Sequence, residues 1–488
     1  MNRSIIRYIL GWVIFVEGAF MLLPWIIALI YRERCGYWFL LIGLIACFVG
    51  FLITRFKPKS TMFSMREGCI ATALSWIVMS FIGCLPFFLS GQIPGFVNAL
   101  FETVSGFTTT GASVLSDVES LAHCMLFWRS FTHWIGGMGV LVLLLAVIRM
   151  AGGSNMNLMR AESSGPSVGK LVPKAMRSAR ILYLIYIVMT LLMVVFLVAG
   201  HMSVFEAFNT AFATAGTGGF SIRNSSLTDC SAYIQWVVTA FMIAFGVSFT
   251  FYYLLLFRKW RQAARMDEVK VYLGIIVASV VVVMINVYNV SLAFGDNLRT
   301  VAFQVSSIMT TTGFATTDFD AWPEFSRLVL VLLMFIGACA GSTGGGIKVS
   351  RIIILVKSMV REFGSYLFPK RVKTIKMNGK VVEPEVVRGV AVFLIAYIVL
   401  FVASIICLSF EDHDMITNFS AVLASVNNIG PGLGMVGPSQ GYDFFTGFNK
   451  FVLMFDMIAG RLELFPLLML LYPPTWKGIF KRTKRQEA

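Results

Sequence analysis

Four stretches of this chain share one design: a short helical run with an aromatic residue near its start, then a polar, glycine-bearing segment that cannot continue as a helix. They are Phe101 to Ser113, Phe208 to Phe220, Phe303 to Ala315 and Phe419 to Gly432. Anchored on Gly111, Gly218, Gly313 and Gly430, the copies also align Thr110, Thr217 and Thr312 and superpose Phe101, Phe208 and Phe303. The fourth is looser, with Ile429 in the Thr position and Phe419 one place early. The anchors lie 107, 95 and 117 residues apart, the spacing of a fourfold internal duplication.

The background in which these loops sit decides how they fold. The chain is 57% hydrophobic and 13% charged, a membrane-protein composition. Apolar runs long enough to cross a bilayer occur at about 5–30, 36–54, 69–89, 126–149, 180–200, 232–257, 271–294, 326–357, 388–409 and 448–473, which gives ten expected crossings. The first run is too long for a signal peptide and leads straight into another span. A segment such as Asn98 to Thr108 covers only about half the membrane at 1.5 Å per residue, so it must enter and return. Irregular backbone is tolerated at that depth only inside protein or against a water-filled cavity. The four loops should therefore face one another, walled from lipid by their flanking spans.

The expected fold is an all-α polytopic membrane protein. A two-helix hairpin (1–60) precedes four repeats of helix, re-entrant pore helix with filter loop, and helix, at 61–165, 166–265, 266–375 and 376–488. The third repeat carries an intramembrane gating loop and the fourth a basic C-terminus. The net charge of +15 does not imply nucleic acid, because most of the 40 Lys and Arg fall in segments that lie on one side if both termini are cytoplasmic. Those segments set topology; docking of an acidic partner or anionic membrane lipid is the second reading. Eight cysteines are scattered singly with no C-x-x-C pair, which indicates neither a disulfide framework nor a metal site.

A dehydrated monovalent cation needs oxygen ligands, and backbone carbonyls supply them without a full charge that would trap it. Glycine reaches the backbone angles that such a loop requires. The aligned threonines could add hydroxyl oxygens, and the C-terminal ends of four short helices would present negative dipole ends. Close helix packing is the competing explanation for Gly and Thr in any single copy. It is weak for four copies in register.

Two glycine-rich stretches imitate nucleotide-binding motifs. Gly432 to Gly437 fits G-x-G-x-x-G but lacks a βαβ setting, and Gly341 to Lys348 fails the P-loop pattern because Ile347 precedes Lys348. The second stretch still interrupts an apolar run with Gly341, Ser342, Thr343, Gly344, Gly345 and Gly346, and each glycine costs about 1 kcal/mol in a helix. It reads as a gate below the third loop or as a kink at a close helix crossing. Arg461, deep in the last run, either faces the pore or pairs with Asp456 or Glu463. Glu102, Asn209 and Gln304 share a register in the first three short helices, either bonding behind the loops or exposed at the helix start.

At these residues the chain closely resembles the membrane subunits of Trk-type bacterial potassium uptake systems, the TrkH/TrkG group, related to KtrB and plant HKT proteins. The resemblance spans nearly the whole chain and rests on Thr109-Thr110-Gly111-Ala112, Thr217-Gly218-Gly219-Phe220, Thr311-Thr312-Gly313-Phe314, Asn427-Asn428-Ile429-Gly430-Pro431-Gly432, Gly341 to Lys348, and Gly460-Arg461-Leu462-Glu463. The N-terminal hairpin favours the TrkH side. Ala215-Gly216 depart from the bulkier residues expected before Thr217.

The resemblance implies potassium as substrate, with potassium preference tied to Gly111. It also implies a filter built from these four segments, a gate at Gly341 to Gly346 and Lys348, and an Arg461 that sits below the filter. A homodimer in the bacterial inner membrane, bound to a cytoplasmic nucleotide-binding TrkA-like ring, follows from the family too. No covalent cofactor or enzymatic activity is expected, since His123, His133, His201 and His413 cluster with no nucleophile or metal ligands. The alternative is a sodium- or proton-coupled symporter using Glu17, Glu206, Asp456 or Glu463.

Overall fold

The computed structural model describes residues 2–58, 64–139, 175–288, 293–368 and 374–476. The second half of the 126–149 run, most of the basic segment 149–180 and the basic C-terminus at 477–485 lie outside the described residues.

Arg3–Phe20 and Leu22–Tyr31 form one nearly continuous helix that returns through Gly36–Arg55. The two arms pack closely because small residues meet: a Cβ on Gly18 would stand 2.7 Å from the Gly43 carbonyl, and one on Gly43 would stand 2.9 Å from that of Gly18. The hairpin lies against Met65–Leu89 and His123–Gly137 of the first repeat.

Each repeat then runs outer helix, pore helix, loop, inner helix. The outer helices are Met65–Leu89, Ala175–Ala199, Asp267–Val287 and Pro384–Leu408. Residues such as Leu184, Val188, Val195, Ile395 and Val399 stay exposed on them, an apolar surface suited to lipid. The pore helices are Phe96–Phe107, Val204–Gly216, Phe294–Met309 and Met415–Asn427, too short to span. Ser203 and Asp414 cap the second and fourth by accepting hydrogen bonds from the Glu206 and Thr417 N–H groups.

Among the described residues six helices are long and apolar enough to cross a membrane, and a seventh candidate is a pair bent by 89°. Three of the apolar runs are broken: the 326–357 run as its glycines predict, the other two against expectation. The 232–257 run divides into Ala232–Gly246 and Phe249–Leu256, the 326–357 run into Glu324–Ile336 and Val349–Leu367, and the 448–473 run into Gly447–Arg461 and Phe465–Leu471. Apolar content determines whether a segment can enter a membrane, whereas continuity depends on whether freed backbone groups find partners inside the protein. A small antiparallel ribbon, Lys376–Met377 with Lys380–Val381, departs from the all-α expectation within a basic segment. Its turn is tied down by Asp267, whose carboxylate accepts from the Asn378 N–H at 2.9 Å.

Candidate functional site

The four loops close a ring, and the contacts between them set the repeat register. A Cβ on Gly111 would lie 1.9 Å from the Gly218 carbonyl oxygen, one on Gly219 2.0 Å from that of Thr312, one on Gly313 2.2 Å from that of Ile429, and one on Gly430 2.8 Å from that of Thr110. Each loop thus seats its glycine on the carbonyl of the next loop, and the fourth returns to the first. These four glycines also have φ between +76° and +95°, a region that costs other residues about 1–2 kcal/mol. Steric closeness and backbone angle demand glycine independently at each position.

This ring corrects the sequence alignment of the second repeat. Gly219, rather than Gly218, matches Gly111, Gly313 and Gly430. One residue chain-wise before each carbonyl, Thr109, Thr217, Thr311 and Asn428 all take left-handed angles of 55–57°. Each donates its N–H three residues back, to Gly106, Thr214, Ile308 and Ser425, and the next residue donates five back, to Ser105, Ala213, Ser307 and Ala424. This paired C-terminal cap ends all four pore helices identically. Thr217 therefore matches Thr109, and Thr110, Gly218, Thr312 and Ile429 are the equivalent set. Phe208 falls one place early, as Phe419 does, and Asn209 is displaced by one from Glu102 and Gln304. The adjacent glycines in Thr217-Gly218-Gly219 made either anchor plausible, and the ring contacts, capping bonds and backbone angles choose between them.

The hydroxyls at the ring are largely engaged within their own loops. Thr110 bonds Thr108 and Thr312 bonds Thr310, each at 2.8 Å, while Thr217 donates to the Gly216 carbonyl. In the fourth repeat, Asn428 donates to Thr110 Oγ1 at 3.0 Å, and Tyr442 donates to the Gly430 carbonyl at 2.7 Å.

Behind the ring the repeats use different chemistry for one task. Glu102 and Gln304 are buried, which excludes simple exposure at the helix start. Glu102 accepts from Ser113 Oγ and Val114 N at 3.0 Å, and Gln304 donates to the Thr317 carbonyl at 2.9 Å. Ser420 does likewise in the fourth repeat, accepting from Leu433 N and donating to its carbonyl. In each case a pore-helix side chain holds the strand that leaves the ring. Glu102 carries a full charge there, and Arg129 matches it at 2.5 Å, with both side chains at most 4% exposed. Arg129 also lies 3.7 Å over the Phe220 ring and donates to the Ser221 carbonyl, which couples the first loop to the second.

Directly beneath the ring, the Gly337–Lys348 segment folds into the space between inner helices. Gly345 N donates to Thr311 Oγ1 at 2.6 Å and Gly346 N to the Asn427 carbonyl at 3.1 Å. The break in the second repeat is satisfied by the same segment: Cys339 N donates to the Gly246 carbonyl, Phe249 N to the Gly341 carbonyl, and Thr343 Oγ1 to the Phe245 carbonyl. This mutual satisfaction explains why the 232–257 run can bend. Lys348, buried with φ +82°, turns its ammonium onto the Gly344 carbonyl. Glu268 Oε1 accepts from Ala340 N at 2.6 Å and Ser350 N at 3.1 Å, which holds both ends of the segment. Sequence reasoning missed Glu268, since one acid at the start of an apolar run carries no distinguishing signal. Gly341 is exposed and Ser342 half-exposed, whereas Thr343, Gly344 and Gly345 are buried.

Arg461 pairs with neither acid proposed for it. It donates to the Thr343 carbonyl and to the Gly137 carbonyl, each at 2.7 Å, and to the Gly136 carbonyl. Glu463 instead pairs with Arg351, and Asp456 accepts from Ser404 at 2.8 Å. The guanidinium therefore bridges the C-terminal end of His123–Gly137 in the first repeat and the interrupted segment of the third.

A family profile described as a cation transport protein, TrkH, matches residues 39–474. The Trk system potassium uptake protein TrkH of Escherichia coli (strain K12) is 35% identical over 98% of this chain and 100% of its own length. The potassium uptake protein TrkG of the same strain is 31% identical, with the same coverage. The crystal structure of the potassium transporter TrkH from Vibrio parahaemolyticus superposes with a TM-score of 0.87 at 32% identity, covering 98% of this chain and 100% of that one.

Proposed function

This chain belongs to the TrkH family of cation transport proteins, and on that premise we propose that it is the potassium-translocating subunit of a Trk-type uptake system. The observation that carries this reading is the closed ring of four glycine-on-carbonyl contacts, roofed on one side by a broken helix and an arginine. Thr109, Thr110, Gly111, Thr217, Gly218, Gly219, Thr311, Thr312, Gly313, Asn428, Ile429 and Gly430 form the selectivity filter in this reading. Carbonyl oxygens there replace the hydration shell of a potassium ion, which is substrate and not cofactor. Gly341 to Gly346 with Lys348 form the gate. Arg461 is the inner barrier, and it places a fixed positive charge on the path, which raises the energy of a cation there.

The same reading has a multi-pass protein in a bacterial inner membrane with both termini cytoplasmic. It divides the chain at the hairpin and four repeats, and it acts as a homodimer under a nucleotide-binding TrkA-like ring, without enzymatic chemistry. Support comes from the family membership and from the one-sided distribution of basic residues. The test is rescue of a potassium-uptake-deficient bacterium on limiting potassium, with and without a TrkA-like partner. In reconstituted vesicles Gly111→Ser should lose potassium preference over sodium, because its Cβ is driven into the Gly218 carbonyl. Unchanged flux and selectivity in that variant would sink the filter assignment.

Coupling to protons or sodium is the second reading, favoured by the buried carboxyls of Glu17 and Asp456 within the spans. Potassium flux that follows only the electrochemical gradient, independent of pH and sodium, excludes it.

A further inference from the structure

Two cysteines 89 residues apart in sequence meet where the N-terminal hairpin touches the first repeat. Cys35 Sγ and Cys124 Sγ lie 3.4 Å apart, Cys35 half-exposed in the turn before Gly36–Arg55 and Cys124 fully buried at the start of His123–Gly137. The surroundings hold them there. Glu33 caps the helix at His123–Gly137, its two oxygens accepting from His123 N at 2.7 Å and Cys124 N at 2.9 Å, and Tyr31 stacks on the His123 ring with centroids 3.9 Å apart.

We infer that Cys35 and Cys124 form a disulfide on the outer face of the membrane, clipping the N-terminal hairpin to the first pore repeat. This rests on the proposed topology, which puts the 32–35 turn outside, in a compartment where disulfides persist. The Cys35 thiolate attacks the disulfide of an extracytoplasmic dithiol–disulfide oxidant and expels one of its thiolates. The Cys124 thiolate then attacks Cys35 Sγ in that mixed disulfide and expels the second. Two electrons pass to the oxidant, and the protons of the two thiols end on its two sulfurs. Cys35 suits the first step because it is the more accessible sulfur, and its hydrogen bond with Cys124 holds its thiol below the ordinary value.

Glu33, Cys35 and Cys124 also bring ligand atoms within 4.8 Å of one another, as a zinc site would. The disulfide is favoured because both Glu33 oxygens are already committed to backbone N–H groups. Burial works to raise the Glu33 pKa, but the bonds from Cys124 and His123 outweigh it and hold the carboxyl below its ordinary value.

The full-length protein, purified without reductant and alkylated with N-ethylmaleimide under denaturing conditions, should leave two of its eight cysteines unmodified until reduction. Peptide mass spectrometry should join the Cys35 and Cys124 peptides, and Cys35→Ser should free Cys124 for alkylation. Both thiols alkylating without reduction overturns the proposal, as does stoichiometric zinc, measured by elemental mass spectrometry, that Cys35→Ser releases. Topology is read separately from Ser120→Cys in a Cys35→Ser/Cys124→Ser background, since Ser120 is exposed on the same face. Its labelling by a membrane-impermeant maleimide in intact cells leaves the topology standing even if the disulfide fails.

Discussion

The ring and the space beneath it are built on opposite principles. At the ring, four different sequences reach one backbone: the same left-handed residue, the same pair of capping bonds and the same glycine on the next carbonyl. Below it, the second, third and fourth repeats end differently. The second inner helix bends by 89°, the third is interrupted at Gly337–Lys348, and the fourth breaks at Glu463 and Leu464, where φ is positive without glycine. A cation must meet similar oxygens from all sides, whereas a gate needs one element that differs from its neighbours and can move against them. In the proposed reading, symmetry of backbone serves selection, and asymmetry serves control.

The comparison breaks most sharply at a ring glycine. Gly219→Ala should abolish growth on limiting potassium. Its Cβ would stand 2.0 Å from the Thr312 carbonyl, and its φ of +76° adds about 1–2 kcal/mol of strain. Gly218→Ala is different, since its Cβ meets the His133 ring at 2.3–2.5 Å, a side chain that can be removed. His133→Ala should therefore restore transport to Gly218→Ala but not to Gly219→Ala. Equal rescue of both would show the register assigned to the second loop to be wrong.

Next in size is the buried ion pair behind the ring. Arg129→Ala leaves Glu102 without its counter-charge, and a loss of about 3–5 kcal/mol is expected. A large fall in thermal stability of the detergent-solubilised protein is the readout. Below the ring, Arg461→Ala removes charge-assisted bonds to the Thr343, Gly136 and Gly137 carbonyls, each worth about 1.5–3 kcal/mol. Partner-independent potassium flux should rise about tenfold or more. Glu268→Ala should raise the same flux less, by freeing the Ala340 and Ser350 N–H groups. Glu268→Gln should stay near wild type, because one oxygen accepts both bonds. The smallest effect belongs to Gln304→Ala, which removes one neutral bond to the Thr317 carbonyl and should cost about 1 kcal/mol in the same thermal assay. If it matched Arg129→Ala, the different chemistry of these supports would be without energetic meaning.

Much of this site was legible in the chain before any coordinates. The loops, their number and their inward orientation follow from apolar runs and from the absence of water to satisfy backbone groups in a bilayer. The segment from Gly341 to Gly346 identified itself because several glycines cannot sit in an apolar helix without breaking it. The bend at Gly246 to Ser248 did not, since one glycine in a hydrophobic run looks like ordinary close packing until Gly341 supplies the partner for Phe249 N. Arg461 announced itself as a buried charge, but its partners proved to be carbonyls of distant repeats and not the nearest acids in sequence.

By itself, then, the sequence determined a fourfold membrane architecture with a polar, glycine-dependent centre, because hydropathy and glycine content act locally and along one dimension. Only the tertiary structure decided that Gly219 is the fourth member of the ring, that Glu268 holds the interrupted segment, that Arg461 spans two repeats and that Cys35 meets Cys124. Each of these is a choice among residues equally suited by type. It is made by which backbone or side-chain group the folded chain leaves within bonding distance.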